Sequence, residues 1–364
     1  MAIVSDARDH PPGQPIPPAA ADPAAAPFAD LTPDAVLNAI DAIGRPAGLT
    51  TTGTLLALNS YENRVFQVGV EEAGGRAGFV VAKFYRPGRW TDAQIEEEHG
   101  FVAELAAAEV PAVAARALDG RTLHRADGHR VALFERRGGR APNLDDSAVL
   151  EWLGRFIGRI HALGATRPYA LRPTLDIETF GIEPRAWLLA HDWLPLELRT
   201  AYASVSQQAL DGVQAAFDRA GDFTALRLHG DVHEGNVLWR DAADASAQKD
   251  AGPHFVDFDD SRMGPAVQDL WMLMGAREQA PQRLKALLDG YEQFQEFDDR
   301  ELHLVEALRT LRLLHYSAWI ARRWHDPAFP AAFPWFDTPR YWEARILELR
   351  EQVAAMQEAP VRPG

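Results

Sequence analysis

Residues Leu228–Trp239 read LHGDVHEGNVLW: two histidines, two acids and an asparagine held between hydrophobic ends. Such groups serve as metal ligands, as a proton-transfer pair, or as the bonding partners of a tight turn. The flanks narrow the setting. NVLWR (236–240) and HFVDFDD (254–260) have the aliphatic and aromatic content of strands and bracket the polar, alanine-rich DAADASAQKDAG (241–252), which reads as a hairpin with a long, mobile tip. Side chains alternate along a strand, so Asp257 and Asp259 share a face, and pairing of the two strands brings Asn236 near Asp257. One amide oxygen and one carboxylate make a poor transition-metal site but suit Mg2+, which fills its shell with water and phosphate oxygens. Asp231, five residues before Asn236, is then left to accept a proton. A base, with an Asn and an Asp on Mg2+ and the phosphates of ATP completing the shell, is a layout for phosphoryl transfer.

Working outward, the chain is long enough for about two domains at 364 residues. It carries 37 Lys and Arg against 52 Asp and Glu, a net charge of -15, which argues against a general binder of nucleic acid or anionic membrane. With no cysteine, disulfides, thiolate metal sites and a cysteine nucleophile are excluded. No apolar run is long enough to span a bilayer and the first residues do not read as a secretory signal, so a soluble cytoplasmic protein is expected. Nothing signals a subunit interface, and a monomer is expected.

Residues 1–30, with PPGQPIPPAAADPAAAP at 11–27, bury too little to offset ordering entropy and are expected to form a disordered tail. Order should begin at LTPDAVLNAIDAIG (31–44), with Thr32 as N-cap, Pro33 in the first turn and Gly44 as stop. TLLALN (54–59), NRVFQVGVE (63–71) and GFVVAKFYR (78–86) read as strands, the last two parted by Gly74-Gly75. A helix capped by Thr91 comes next and stops near Pro111. RTLHRA (121–126) and HRVALFERR (129–137) join at Asp127-Gly128, a strong hairpin dipeptide. Beyond Gly138-Gly139 the pattern is helical over 145–164, 196–219, 266–297, 300–324 and 340–357, broken only by the central hairpin. The order is α+β: a small β-rich lobe at 31–138 with one internal helix, then a larger, mainly helical lobe at 139–364.

Lys83, in the third strand, either snorkels to solvent or is held inward by negative charge. The next helix offers Glu96, Glu97 and Glu98, any of which could hold it.

VVAKFY (80–85), a Glu-bearing helix, HGDVHEGN (229–236) and FVDFDD (255–260), in that order, resemble the bilobal, protein-kinase-like phosphotransferases of the aminoglycoside and choline kinase type. The blocks LNSYENRVFQ (58–67), VAKFYRPGRWT (81–91), LRLHGDVHEGNVLWRD (226–241), FVDFDDSRMGPAVQDLWML (255–273) and RRWHDPAFPAAFPWF (322–336) are similar to the stress response kinase A family of bacterial Ser/Thr protein kinases. The similarity spans about 31–355. It implies ATP and Mg2+, a protein hydroxyl as acceptor, Asp231 as proton acceptor, and Asn236 and Asp257 on the metal. It further implies Lys83 on the nucleotide phosphates, Glu98 as the anchor of Lys83, and Ser60 in the loop that covers the phosphates. That loop has no glycine between Gly53 and Gly69, so hydroxyl and amide donors of Ser60, Asn59 or Asn63 would replace bare backbone. Phe134-Glu135-Arg136 would face adenine.

The bland roles are expected elsewhere. His229 and His233 brace the loop, Asp269 ties it to the next helix, His161 is a satisfied core histidine, and Asp259 and Asp260 tune the metal site or end a strand. WHDPAFPAAFPWF (324–336) packs the lobe or borders the substrate cleft. Three other functions compete. GDVH also opens a two-metal phosphatase signature, but the further ligand blocks are missing. A small-molecule kinase acting on an aminoglycoside, homoserine or choline would use the same catalytic residues. A binding-only pseudokinase would lack one of Lys83, Asp231, Asn236 and Asp257.

Overall fold

The computed structural model describes residues 26–241 and 251–364. The expected tail at 1–25 and most of the hairpin tip (242–250) lie outside the described residues. Order begins before Leu31: Ala26 is buried, and the Phe28 ring stacks on His129 and lies under the guanidinium of Arg64.

Thr32 caps α1 (Pro33–Gly44), its side chain accepting from the Ala35 amide. The chain then forms β1 (Leu49–Leu58), β2 (Arg64–Glu72) and β3 (Arg76–Phe84). Next comes α2 (Asp92–Ala107), closed by a reciprocal Thr91/Gln94 capping box that satisfies two orphan amides at its N-terminus. β4 (His124–Ala126) and β5 (His129–Glu135) turn at Asp127-Gly128, both with positive φ (48° and 81°), the conformation of a two-residue hairpin loop. The five strands form one sheet in the order β1-β2-β3-β5-β4. Lys83 is central in it, opposite Val65 on one side and Ala132 on the other. Its side chain leaves one face of the sheet toward Asp257 and Asp259, and Lys83 is 7% exposed.

Helix α2 belongs to both lobes. Ile95 packs with Tyr85, Leu123 and Ala132 of the sheet lobe, whereas Phe101, Val102 and Leu105 enter the main core of the helical lobe. The Glu97 carboxylate accepts from the amides of Ala170, Leu171 and Arg172 and locks that end in place.

The helical lobe runs α3 (Ser147–Gly164), α4 (Glu183–Ala190), α5 (Leu196–Ala220), β6 (Leu226–Arg227), β7 (Val237–Arg240), β8 (Gly252–Phe255), β9 (Met263–Gly264), α6 (Ala280–Tyr291), α7 (Val305–Arg322), α8 (Ala328–Ala332) and α9 (Pro339–Ala355). α3 and α6 approach so closely that a Cβ on Gly158 would lie 2.5 Å from the Tyr291 carbonyl oxygen. That contact brings Tyr291 to the back of the functional loop.

Three expectations need correction. Residues 266–297 are not one helix but two short 3-10 turns (Ala266–Asp269, Trp271–Leu273) and then α6. Asp269 is held by the 229–230 backbone, and Gly275 takes a left-handed φ of 73°, which a continuous helix does not allow. A second two-stranded pair, β6 with β9, flanks the functional loop; two residues per strand are too few for a pattern. A π-helical turn at Glu178–Ile182 leads into α4, where Gly181 and Pro184 blur the helical signal.

Candidate active site

Strand β6 delivers the chain into Leu228–Asn236. Gly230 adopts φ 90° with no room for a side chain, since a Cβ there would lie 2.2 Å from the Asp260 carbonyl oxygen. Behind the loop, Asp269 accepts from the His229 and Gly230 amides at 2.8 Å each and from His161 Nε2 at 3.0 Å. His161 Nδ1 contacts the Tyr291 hydroxyl at 2.9 Å. His229 Nε2 reaches the Val256 carbonyl at 2.9 Å, and its Nδ1 accepts from the Asp231 amide. Gln268 donates to the Gly230 carbonyl. These buried groups satisfy one another, so the loop has one conformation to offer. His161, His229 and Asp269 thus have the bracing contacts anticipated for them.

In front of the loop the bonding is sparser. Asn236 donates from Nδ2 to the Asp231 carbonyl at 3.0 Å, which leaves its amide oxygen for a cation. The β7–β8 ladder continues as Val256 N–H donating to the Asn236 carbonyl at 3.0 Å, and so sets Asp257 beside Asn236. Asp257 has φ 61° and ψ 62°, a backbone state costing about 1–3 kcal/mol in a non-glycine residue. Its side chain is 48% exposed toward the cleft and meets Lys83 Nζ at 2.7 Å. Two protein oxygens beside open space fit the sparse protein ligation of Mg2+. Among the described residues there is no cluster of three or more acidic or histidine side chains suited to enclosing a metal.

Lys83 is paired with Asp257 and, at 3.2 Å, with Asp259. Burial alone would lower its pKa; the two carboxylates outweigh burial and hold it well above the ordinary lysine range. Glu98, expected as its anchor, makes no ion pair with it within 4 Å: its nearest cationic contact is Arg172 at 3.8 Å, and the neutral His99 ring lies at the same distance. Its charge still acts on Lys83 at longer range. Burial, opposed by Arg172 and Lys83, lifts the Glu98 carboxyl to about 7. Asp259 is 3% exposed and takes Arg89, Lys83 and the Asn63 amide, the last at 3.1 Å. Arg89 and Lys83 overcome burial and bring the Asp259 pKa to about 2.

Asn63 therefore bridges the lobes instead of pointing at a phosphate: its oxygen accepts from the Arg86 amide while its nitrogen holds Asp259. Ser60 lies half-buried in the β1–β2 loop. Glu62 and Arg64 pin that loop to the helical lobe, Glu62 to Arg323 and Arg64 to Asp326. Phe134 and Glu135 end β5, and Arg136 Nε donates to Gln67.

Asp231 is 20% exposed and accepts from Arg312 Nη1 at 2.6 Å, with His233 Nε2 at 3.5 Å. Burial would raise its pKa; the hydrogen bond from His233 and the charge of Arg312 lower it below the ordinary aspartate value. The carboxylate is ionised and can take a proton. His233 also accepts from the Gly235 amide, so it shapes the turn while touching Asp231. Beside Asp231 opens a cavity of about 180 Å3, lined among others by Arg262, Trp271, Arg312, His315 and Trp319.

An ionised carboxylate beside a cavity, two oxygens at an open cleft and a buried lysine suit phosphoryl transfer, and the family model agrees. Residues 54–305 match the APH phosphotransferase enzyme family. The chain belongs to that family. This phosphotransferase is 42% identical to stress response kinase A of Shigella flexneri, over 92% of this chain and 96% of that protein. It is 40% identical, with the same coverage, to a Salmonella typhimurium protein named serine/threonine protein kinase RdoA. Among solved structures it resembles amicoumacin kinase hAmiN in complex with AMP-PNP, Ca2+ and Ami, with TM-score 0.64, 17% identity, and 88% and 94% of the two chains covered. At that identity the likeness shows the fold alone.

Five charged residues around the candidate site carried no usable signal in the sequence: Glu62, Arg89, Arg172, Arg312 and Asp326. Each works through a partner at least 81 positions away. Arg172, for example, lies over the Trp90 ring at 4.3 Å and donates to the Asp259 carbonyl. No helix among the described residues is long and apolar enough to cross a membrane. The 324–336 segment packs the lobe through Phe329, Phe333 and Phe336, and its Asp326 also holds Arg64 and Arg86 of the sheet lobe.

Proposed function

We propose that the protein is an ATP- and Mg2+-dependent kinase that passes the γ-phosphoryl group to a serine or threonine hydroxyl of a protein, acting as a cytoplasmic monomer in a stress response. The observation that carries this is the meeting of Asp231, Asn236, Asp257 and Lys83 on one cleft, two of them joined directly at 2.7 Å. The names of the curated relatives support the protein acceptor and the stress role.

In this reading Asn236 and Asp257 hold Mg2+, which neutralises phosphate charge when bound. Lys83, released from part of its pairing with Asp257, contacts the nucleotide phosphates, while Asp259 keeps it in place and Glu98 adds negative charge behind it. Ser60 covers the phosphates from the β1–β2 loop, and the end of β5 at Phe134-Glu135-Arg136 borders adenine. The acceptor hydroxyl gives its proton to Asp231 as its oxygen bonds to the γ-phosphorus, and the electron pair of the broken P–O bond leaves with ADP. Positioning and charge neutralisation supply the rate.

A second reading has its own observation. The cavity beside Asp231, at about 180 Å3, has room for a small alcohol, and the solved amicoumacin kinase acts in the same fold. The test offers γ-labelled ATP and Mg2+ to the purified protein with generic protein substrates, with the protein itself, and with amino alcohols and aminoglycosides. Label on Ser or Thr is expected. Label on small molecules alone would overturn the protein acceptor, and the absence of both label transfer and ADP formation would overturn the kinase.

A further inference from the structure

The cavity beside Asp231 has a charge pattern that phosphoryl transfer does not itself require. Each carboxylate in its lining is already matched by a guanidinium. Glu62 is paired with Arg323 at 2.6 Å and Arg86 at 3.3 Å. Asp260 is held by Arg89 and Arg262, both at 2.8 Å, and Asp231 by Arg312 at 2.6 Å. Three aromatic rings of the lining are covered in the same way, Phe180 by Arg262 at 4.6 Å, Trp271 by Arg309 at 5.0 Å and Trp319 by Arg323 at 5.5 Å, while Tyr316 is stacked on Trp319. His315 also stacks on Phe180, and burial with the nearby Arg262 holds its pKa at about 4, so it adds no charge at neutral pH.

An ammonium group needs an unpaired carboxylate or an open aromatic face. Here it would have to displace a guanidinium and then lie against it, or share the one remaining ring, Tyr316, which is stacked on Trp319 and feels the charge of Arg312. An anion meets the opposite situation. Arg312 is 44% exposed on its side chain, and Asp231 is its one ion-pair partner among the described residues. An acceptor hydroxyl can donate to the other oxygen of that carboxylate, whose protein contacts are at 3.5 Å, and then lies beside Arg312. An acceptor bearing its own carboxylate or phosphate next to the hydroxyl gives the free donors of Arg312 an anion while Arg312 stays paired with Asp231.

We propose that the acceptor is an anionic alcohol, with a carboxylate or phosphate adjacent to the reacting hydroxyl, and that Arg312 is the residue that selects it. This rests on Asp231 being the proton acceptor. The anion has two sources, an acidic side chain flanking a Ser or Thr in a peptide, or a free hydroxy acid or phosphorylated alcohol.

The test measures ADP release and product mass with peptides of equal length carrying one Ser flanked by Glu, Gln or Lys. A parallel arm uses glycerate and glycerol 3-phosphate against choline and kanamycin. Wild-type protein should favour the anionic member by about ten- to a hundredfold in kcat/KM, the worth of one charge-assisted hydrogen bond. Arg312→Gln should level the preference chiefly through KM, Arg312→Lys should keep most of it, and Arg312→Glu should invert it. Turnover of acidic peptides alone, or of free anionic alcohols alone, supports the proposal and names the source. A wild-type preference for Lys-flanked peptide, choline or kanamycin overturns the proposal and leaves the kinase standing, as does a preference unchanged in Arg312→Gln. No ADP with any acceptor strikes at the kinase reading itself and takes the proposal with it.

Discussion

Behind the segment 229–236, Asp269 accepts three hydrogen bonds at 1% exposure, and His161, Tyr291, His229 and Gln268 complete a network closed to solvent. In front of it, Asp231, Asn236 and Asp257 stand at the cleft with fewer protein partners, and Asp257 is 48% exposed in a left-handed backbone state. The same short loop thus has a finished face and an unfinished one. The finished face fixes geometry, because each buried polar group would be costly to leave unpaired. The unfinished face leaves oxygens for groups that arrive from outside. Catalysis by positioning needs both, since a loosely held carboxylate loses most of its effect.

The sharpest way to break the comparison is to change one residue on each face. Asp231→Asn should lower phosphoryl transfer by on the order of a thousandfold, the usual worth of a general base. Its unfolding free energy from urea denaturation should stay within about 1 kcal/mol of wild type, because the lost pair with Arg312 is partly solvated. Asp269→Ala should do the reverse in kind, costing about 3–5 kcal/mol in the same denaturation experiment by stranding two amides and a histidine. Equal stability losses in the two variants would erase the distinction between the faces.

A smaller, pH-dependent effect sharpens it. Glu98 lies behind Lys83 with its pKa raised from 4.5 to about 7, burial outweighing Arg172 and Lys83. A carboxyl whose folded pKa is raised supports the fold fully below its unfolded value and loses that support as pH climbs through the folded value. Wild type should therefore match Glu98→Gln near pH 4, fall behind it by on the order of 3 kcal/mol between pH 4.5 and 7, and run parallel above that. Thermal melts of both proteins across that range check it. A gap that widens toward acid would mean that Glu98 is ionised and paired in solution.

Much of this arrangement was legible in the sequence. Strand alternation and the turn dipeptide Asp127-Gly128 marked out the small lobe, and Thr32 and Thr91 marked two helix starts because capping is local chemistry. The bracing roles of His229, His161 and Asp269 could be read from their places in the pattern. The partner of Lys83 could not: three adjacent glutamates all sit at plausible spacing, yet its close contacts are Asp257 and Asp259, at least 174 positions away. The break at 266–279 was equally hidden, since a helical apolar pattern continues through it while Asp269 is drawn away by the loop backbone.

The sequence by itself determined the order of strands and helices, the Asp231–Asn236 spacing and the type of each reacting group, because these depend on neighbours within a few residues. Only the tertiary structure decided which carboxylate meets which cation. Arg312 reaches Asp231 across 81 positions, and Arg64 reaches Asp326 across 262. Coulomb attraction depends on distance in space and on exclusion of water, and neither is written along the chain until the two lobes have packed.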